Sequence, residues 1–367
     1  MKNDATEIKA LLVRNAEALA RELLPDGQRQ GNYWKARCPW RADKHIGSFW
    51  VNLKGQMQGT YHDAAAGETG DALTLIAKVH GLDVRRDFAK VLDWARAFLG
   101  LANVAPAEMK RRVSEAQAAG ELDERAAAER AEQDRRRAFA LYLRARREPF
   151  LGSGADLYLQ GRGIDVRRLG RMPGCLGFLP EWRREDGSMV HASMLAGFTG
   201  PDGRIVAVHR TFIAPKPRDD FERDFQLPER WDKAPVDPVR KIWPSFGGAA
   251  IRLWRGDSKL REREAAEAGL LETLVLVEGV EDGLSVALAR PDYRIWCAGS
   301  LGNLASIVLP ECCDRLIVCA DNDWGKPQAL AQLDKALVWL AGHGREVLVA
   351  RSPIGKDAND ALRGSRQ

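Results

Sequence analysis

Residues 316–325 read LIVCADNDWG. An apolar run leads straight into Asp321-Asn322-Asp323. A short apolar run closed by turn-forming residues fits a buried strand, and residues i and i+2 of an extended chain point the same way. Asp321 and Asp323 are therefore expected at a strand tip, facing one side together. A second run, LVLVEG, places Glu278 at its tip in the same manner. Around these two runs, residues 270–367 alternate apolar strand and helix: LETLVLVEG, EDGLSVALA, YRIWCAG, DRLIVCADND, PQALAQLDKALVWLAGHG, REVLVARSP, DANDALR. That alternation predicts a parallel α/β sheet covered by helices. Open sheets of this kind present functional groups where their strands end.

Neighbouring strands bring Glu278, Asp321 and Asp323 to one rim. Three acids without basic neighbours repel one another, and a hard divalent cation neutralises them. Mg²⁺ takes oxygen ligands, commonly one or two carboxylates with waters and substrate phosphates. Gly279 follows Glu278 and permits close backbone approach. A further acidic stretch, GKDANDAL, brings Lys356, Asp357 and Asp360. An isolated DxD is often a turn or helix cap, and EG after a strand is a common turn. Their occurrence in this order on strand ends points to a metal site.

LVEGVEDGLSVALA, VCADNDWGKPQALAQL and PIGKDANDALRG together resemble the Toprim domain of DnaG-type primases, topoisomerases and related nucleases. The variant they look most like is that of plasmid and phage primase-like proteins. The resemblance implies that Glu278, Asp321 and Asp323 are the metal-coordinating, catalytic acids. Asp282 matches the acid in the helix after the first motif. Asp357 and Asp360 match the last motif, with a supporting role, and Asp357 is counted with Asp282 among the implied metal-site acids. Mg²⁺ or Mn²⁺ is the implied cofactor.

The likeness continues upstream. YLQGRGI (158–164), GRIVAVHRTFI (203–213) and RKIWPSFGGAAIRL (240–253) look like the part of primases that grips template and nucleotides. His209, Arg210 and Lys241 are the candidates there for phosphate contact, joined by Lys326 and Lys356 near the acids. Arginine suits bidentate phosphate contact and lysine acts as a point charge.

Residues 33–76 resemble the zinc-binding domain that begins DnaG-type primases. The frame survives in Cys38-Pro39, Ser48-Phe49, Tyr61-His62 and Gly70-Asp71. Of the implied ligand positions only Cys38 holds a ligand. The others hold Arg41, Asp63 and Ala66. A structural zinc site needs four nitrogen or sulfur ligands. Cys38, His45, His62 and Asp63 form an unusual mixed set at best, so zinc is not expected. The expected alternative is a metal-free domain held by Trp34, Trp40, Phe49, Trp50 and Tyr61. Those aromatics are either core or a stacking platform for single-stranded DNA.

The expected architecture is multidomain α/β. It comprises a degenerate zinc-ribbon-like domain (1–100), a charged helical linker (101–148), an α+β primase-core subdomain (149–265) and a Toprim domain (266–367). The linker reads as one or two long helices, with Gly120 as its single breaker. The 367 residues are 45% hydrophobic and 29% charged, with a net charge of +5. That mild excess permits a polyanionic partner without requiring one. No run is long and apolar enough to span a membrane. Six scattered cysteines without a CxxC spacing suggest reduced thiols and a cytoplasmic setting.

Function follows as an expectation. The chain makes short primers on a single-stranded DNA template from NTPs, in replication of a mobile element. The alternatives are a Toprim metal-dependent nuclease and a non-catalytic DNA-binding subunit. A topoisomerase needs a tyrosine nucleophile, and none of Tyr33, Tyr61, Tyr142, Tyr158 and Tyr293 stands in such a context. No GxxxxGK[ST] loop is present, so helicase activity is expected from a separate chain.

Overall fold

The computed structural model of the chain describes residues 2–42, 46–101, 106–218, 220–224, 226, 229–322 and 326–364. Asp323 and His45 lie outside the described residues. The chain divides into two compact units, Met1–Ala128 and Glu129–Gln367.

The first unit opens with α1 (Lys2–Arg14) and α2 (Ala16–Leu23). Five short strands follow: β1 (Gln28–Gln30), β2 (Tyr33–Ala36), β3 (Phe49–Asn52), β4 (Tyr61–Asp63) and β5 (Glu68–Gly70). They pair antiparallel in chain order. Helices α3 (Ala72–Val79) and α4 (Phe88–Phe98) come next. The strands alternate, as a sheet with one covered face must. Trp34, Phe49, Val51 and Tyr61 are buried among Leu12, Leu19, Leu75 and Ile76. Asp71 caps α3 by accepting from the Thr74 N–H at 2.9 Å.

Helix α5 (Pro106–Ala145) is a single helix that runs through Gly120. One glycine costs about 1 kcal/mol against alanine in a helix interior. The Ala, Glu, Gln and Arg residues around it outweigh that cost.

The second unit begins with the last turns of α5, then α6 (Gly154–Gly161) and β6 (Leu176–Leu179). The hairpin β7 (Trp182–Arg183) and β8 (Met189–Val190) follows, then β9 (Ser193–Thr199) and β10 (Ile205–Pro215). After α7 (Asp220–Asp224) come β11 (Trp231–Lys233) and β12 (Arg240–Trp243). These strands build an antiparallel sheet of order β11-β10-β9-β6, with β12 also on β10. Its two faces have different cover. Val208 and Leu195 pack with Ala138 and Ala145 of α5, while Ala207, Met194, Ala196 and Phe198 enter the main core.

The second sheet holds β13 (Ile251–Arg255), β14 (Glu272–Val277), β15 (Arg294–Cys297), β16 (Cys313–Ala320) and β17 (Glu346–Arg351), in order β13-β15-β14-β16-β17. All neighbours are parallel except the edge strand β13. Interleaved are α8 (Glu262–Glu267), α9 (Val280–Ala289), α10 (Leu301–Leu304), α11 (Pro327–Ala341) and α12 (Ala358–Arg363). The apolar runs are continuous because both faces are covered. Val275 and Val277 of β14 meet Val280, Leu284 and Ala287 of α9. Leu274 and Leu276 meet Leu333, Ala336 and Leu340 of α11. The predicted parallel α/β sheet is present, and α9 joins it to the antiparallel sheet through one shared core.

Candidate active site at the carboxyl edge of the parallel sheet

Strands β14 and β16 are parallel neighbours with Leu276 beside Val318. Glu278 follows one and Asp321 follows the other, so both leave the sheet at the same rim. Gly279 is the N-cap of α9. A Cβ on Gly279 would stand 2.8 Å from Asp282 Oδ2. Glycine is what lets the Asp282 carboxylate fold back over the start of its own helix. Asp282 Oδ1 accepts from the Asn359 N–H at 3.1 Å. Burial, reinforced by the charges of Asp357 and Asp321, pushes Asp282 up to about 7.

The loop after β17 closes on this rim. Asn322 donates its side-chain amide to the Ser352 and Gly355 carbonyls at 2.9 and 3.0 Å, and its N–H to Lys356 O at 2.7 Å. Lys356 Nζ lies 3.2 Å from Asp321 Oδ2. Asp357 caps α12 by accepting from the Asp360 N–H at 2.9 Å, and Asp360 accepts from the Lys356 N–H at 2.9 Å. Gly355 has φ +69°, and a Cβ there would meet Asp360 Cβ at 2.5 Å. The GKDAND stretch is thus a tight loop whose acids shape the rim as well as charge it. Lys326 is exposed at the start of α11.

The donors at this rim are carboxylate oxygens, which fit a hard divalent cation. Among the described residues, no three His, Cys, Asp or Glu side chains form a ready-made metal cage. Mg²⁺ asks for less, since one or two carboxylates with water and phosphate oxygens suffice.

A basic cluster from the antiparallel sheet stands beside Asp282. Thr211 of β10 lies opposite Arg240 of β12, and His209 opposite Ile242. Alternation places His209, Thr211 and Arg240 on the face toward α9. Arg240 Nη2 donates to Glu281 Oε1 at 3.2 Å, and the Tyr158 hydroxyl donates to the same oxygen at 2.8 Å. Glu281 is 2% exposed. Burial alone would raise its carboxyl, but Arg240, His209 and Tyr158 hold it down at about 2. Burial pushes His209 down to about 4, so the ring is neutral near pH 7. Burial and then the Arg240 charge lower the Lys233 ammonium from its usual range. Arg162 completes the group, its carbonyl accepting from Asn359 Nδ2 at 3.0 Å. Five enclosed polar atoms here lack a hydrogen-bond partner: Arg162 Nε, His209 Nδ1, Thr211 Oγ1, Glu281 Oε2 and Asn359 Oδ1. Such a concentration marks a polar pocket that water or ligand atoms complete.

Of the basic residues predicted for phosphate contact, Arg210 and Lys241 do not join this group. They face each other across β10 and β12 on the opposite side of the sheet. Arg210 donates to Ser193 Oγ at 3.2 and 3.3 Å, and its guanidinium lies 5.0 Å from the Trp182 ring centre. Burial lowers it to about 10. Lys241 is exposed. Sequence reading missed Arg162, Lys233, Arg240 and Glu281. The available signal was strand parity, since Arg240 and Lys241 are adjacent and must point to opposite faces.

In the first unit, Cys38, Arg41 and Asp63 converge as their motif positions imply. Arg41 donates to Asp63 from Nε at 3.3 Å and from Nη2 at 3.0 Å. The Ala65 and Ala66 N–H groups also donate to Asp63 Oδ1, at 3.1 and 3.3 Å. Trp34, Phe49 and Tyr61 are core, whereas Tyr33, Trp50 and His62 line the outer face.

Residues 273–366 match the Toprim domain family, and residues 132–253 match a domain of unknown function, DUF7146. The C-terminal part of the chain is a Toprim domain. Among solved structures, the chain is similar to the zinc-binding and RNA polymerase domains of the Aquifex aeolicus primase. That match has 15% identity and a TM-score of 0.40, and covers 97% of this chain and 82% of that one. The Escherichia coli primase catalytic core matches at 14% identity and TM-score 0.38, covering 62% and 74%. The primase fragment of the bacteriophage T7 primase-helicase matches at 19% identity and TM-score 0.32, covering 59% and 73%. No curated protein matches the chain. No described helix is long and apolar enough to cross a membrane.

Proposed function

We propose that this chain synthesises short primers on single-stranded DNA by metal-assisted nucleotidyl transfer. The observation that carries the reading is the meeting of two charge sets in one unit. The carboxylates Glu278, Asp282, Asp321 and Asp357 rim the Toprim sheet; Arg240 reaches Asp282, and Lys233 and Arg162 surround Arg240 and Glu281 behind it. Water activation for DNA cleavage needs the acids and their metal, with cations anywhere along the DNA track. Binding a nucleoside triphosphate also calls for concentrated positive charge close by.

In this reading Glu278, Asp321 and Asp323 hold Mg²⁺ or Mn²⁺, with Asp282 and Asp357 behind them. Such an ion would supply charge neutralisation at the phosphate oxygens and at the attacking 3′ oxygen. Arg162, Lys233 and Arg240 receive the triphosphate, and Lys326 reaches it from the start of α11. Glu281 and Tyr158 fix the Arg240 guanidinium so that little reorganisation is needed on binding. Lys356, 3.2 Å from Asp321, adds a positive charge at the rim. No protein nucleophile is required. A separate chain supplies strand opening.

The test is direct incubation with single-stranded DNA, labelled NTPs and Mg²⁺ or Mn²⁺. Oligonucleotide products support the reading. Metal-dependent cleavage without synthesis would replace it with a nuclease, and binding without either would leave an accessory subunit.

A further inference from the structure

The Toprim sheet has a second rim. Arg255 ends β13 beside Arg294, which starts β15 next to Leu274 of β14. This is the amino edge of the parallel strands. The six residues of β14 separate it from the acids by roughly 20 Å at about 3.3 Å per residue. A groove of about 1540 Å³ opens there, within the second unit. That exceeds the volume of ordinary small-molecule sites, about 300–1,000 Å³.

Arginine dominates its walls, and most wall acids are already engaged. Glu262 pairs with Arg252 and Arg294, Glu267 with Arg263, and Asp202 with Arg204. Glu264 accepts from the Arg261 N–H. Glu311 is the acid left over on the wall. Arg146, Arg171 and Arg255 have no carboxylate within ion-pair distance among the described residues. Arg146 donates to the Gly174 carbonyl, Arg255 to the Lys259 carbonyl, and Arg171 lies 4.8 Å from the Trp254 ring centre. Arg171 is pushed down by burial and then by its like-charged neighbours Arg255 and Arg294. Two further donors of wall residues, Trp296 Nε1 and Arg252 Nε, are enclosed without an acceptor. Apart from Glu311, the unmet groups named here are cations or N–H donors. Juxtaposed guanidinia without counter-charge are stabilised by an anion, and bidentate guanidinium geometry matches phosphate.

We propose that this groove holds the phosphodiester backbone of a single strand, as a second strand-holding site on the rim opposite the acids. The proposal rests on the reading of the chain as one that acts on single-stranded DNA, and its test is a binding measurement independent of synthesis. A groove of that volume lined by several arginines fits a polyanion better than one small anion.

The experiment is fluorescence anisotropy of end-labelled oligothymidylate with the full chain, from 50 to 200 mM NaCl. The wild type is compared with the triple variant Arg146→Gln/Arg171→Gln/Arg255→Gln. Each single-strand phosphate contact contributes about 0.7 to the log–log salt slope, so three lost contacts flatten it by about 2. Over this fourfold salt range the wild type then loses about 20-fold more affinity than the variant. If the triple variant is not folded by circular dichroism, Arg171→Gln alone carries the test, with a slope change of about 0.7. Unchanged slope and affinity for long strands in a folded variant would overturn the proposal. A changed slope in a protein that makes no primers would uphold the groove and remove the synthetic reading. Normal primer synthesis with an unchanged slope would do the reverse.

Discussion

Replacing Asp63 by alanine removes the acceptor on which the first unit closes. Asp63 is fully buried, and four donor atoms converge on it from Arg41, Ala65 and Ala66. Hydrogen bonds to a charged group contribute about 1.5–3 kcal/mol, and each orphaned N–H costs about 1 kcal/mol. The Arg41 side chain is 33% exposed, so solvent screening favours the lower figure. The expected loss is about 3 kcal/mol in all, or about 100-fold in the unfolding equilibrium. Hydrogen exchange of the full chain, read on peptides covering β2 to β4, should accelerate by about that factor. Acceleration under tenfold would refute the assignment of Asp63 as the closing group. Burial alone would raise Asp63, but Arg41, the Cys38 thiol and the Ala66 N–H hold it below the usual carboxylate range. Its contribution is therefore present above the unfolded carboxylate pKa of about 3.9 and lost as pH falls through the lower folded value. The wild type should lose protection in that acidic window, and Asp63→Asn should not show this step. Arg41 takes up the Asp63 carboxylate oxygens, and a zinc chelator is expected to leave protection unchanged.

Other outcomes follow from the second unit. The raised Asp282 makes the folded protein bind a proton that the unfolded chain releases, so metal-free stability falls between about pH 4 and 7 and levels above. Thermal unfolding against pH should show that fall in the wild type and a flatter profile in Asp282→Asn. Divalent-cation affinity, measured by calorimetry, should rise through pH 7 in the wild type. Glu281→Gln removes the charge of a buried carboxylate whose partner Arg240 is 45% exposed, and, with that screening, should cost about 1–2 kcal/mol in denaturant unfolding. Lys233→Ala should weaken nucleotide binding at least tenfold with little effect on melting, whereas Arg210→Ala should lower melting and leave nucleotide affinity unchanged.

The acids were legible because each follows an uninterrupted apolar run. Val275, Leu276 and Val318 are buried on a sheet covered on both faces, so period and polarity change together at Glu278 and Asp321. The Toprim domain over residues 273–366 was accordingly readable from its three motifs. The basic side of the site was not. Arg162, Lys233, Arg240 and Glu281 come from four separate elements and meet only when β12 pairs with β10 and α9 packs beneath them. A one-residue difference in strand parity separates Arg240, which faces the acids, from Lys241, which does not. The long helix was read as one or two because Gly120 alone could not be weighed against the residues around it. Asp63 was legible as a missing cysteine, but its pairing with Arg41 required the turn after β2 to approach β4.

The central claim is that the Toprim acids and the Arg162–Lys233–Arg240 group form one nucleotidyl-transfer site. The most direct test is the initial rate of dinucleotide formation on single-stranded DNA by wild type, Asp321→Ala and Lys233→Ala, with DNA binding measured in parallel. Both variants are expected to lose at least 100-fold in rate while still binding DNA within a few fold of wild type. Wild-type rates in Asp321→Ala would contradict the claim. So would loss in Asp321→Ala with full activity in Lys233→Ala, because the two groups would then not share a site.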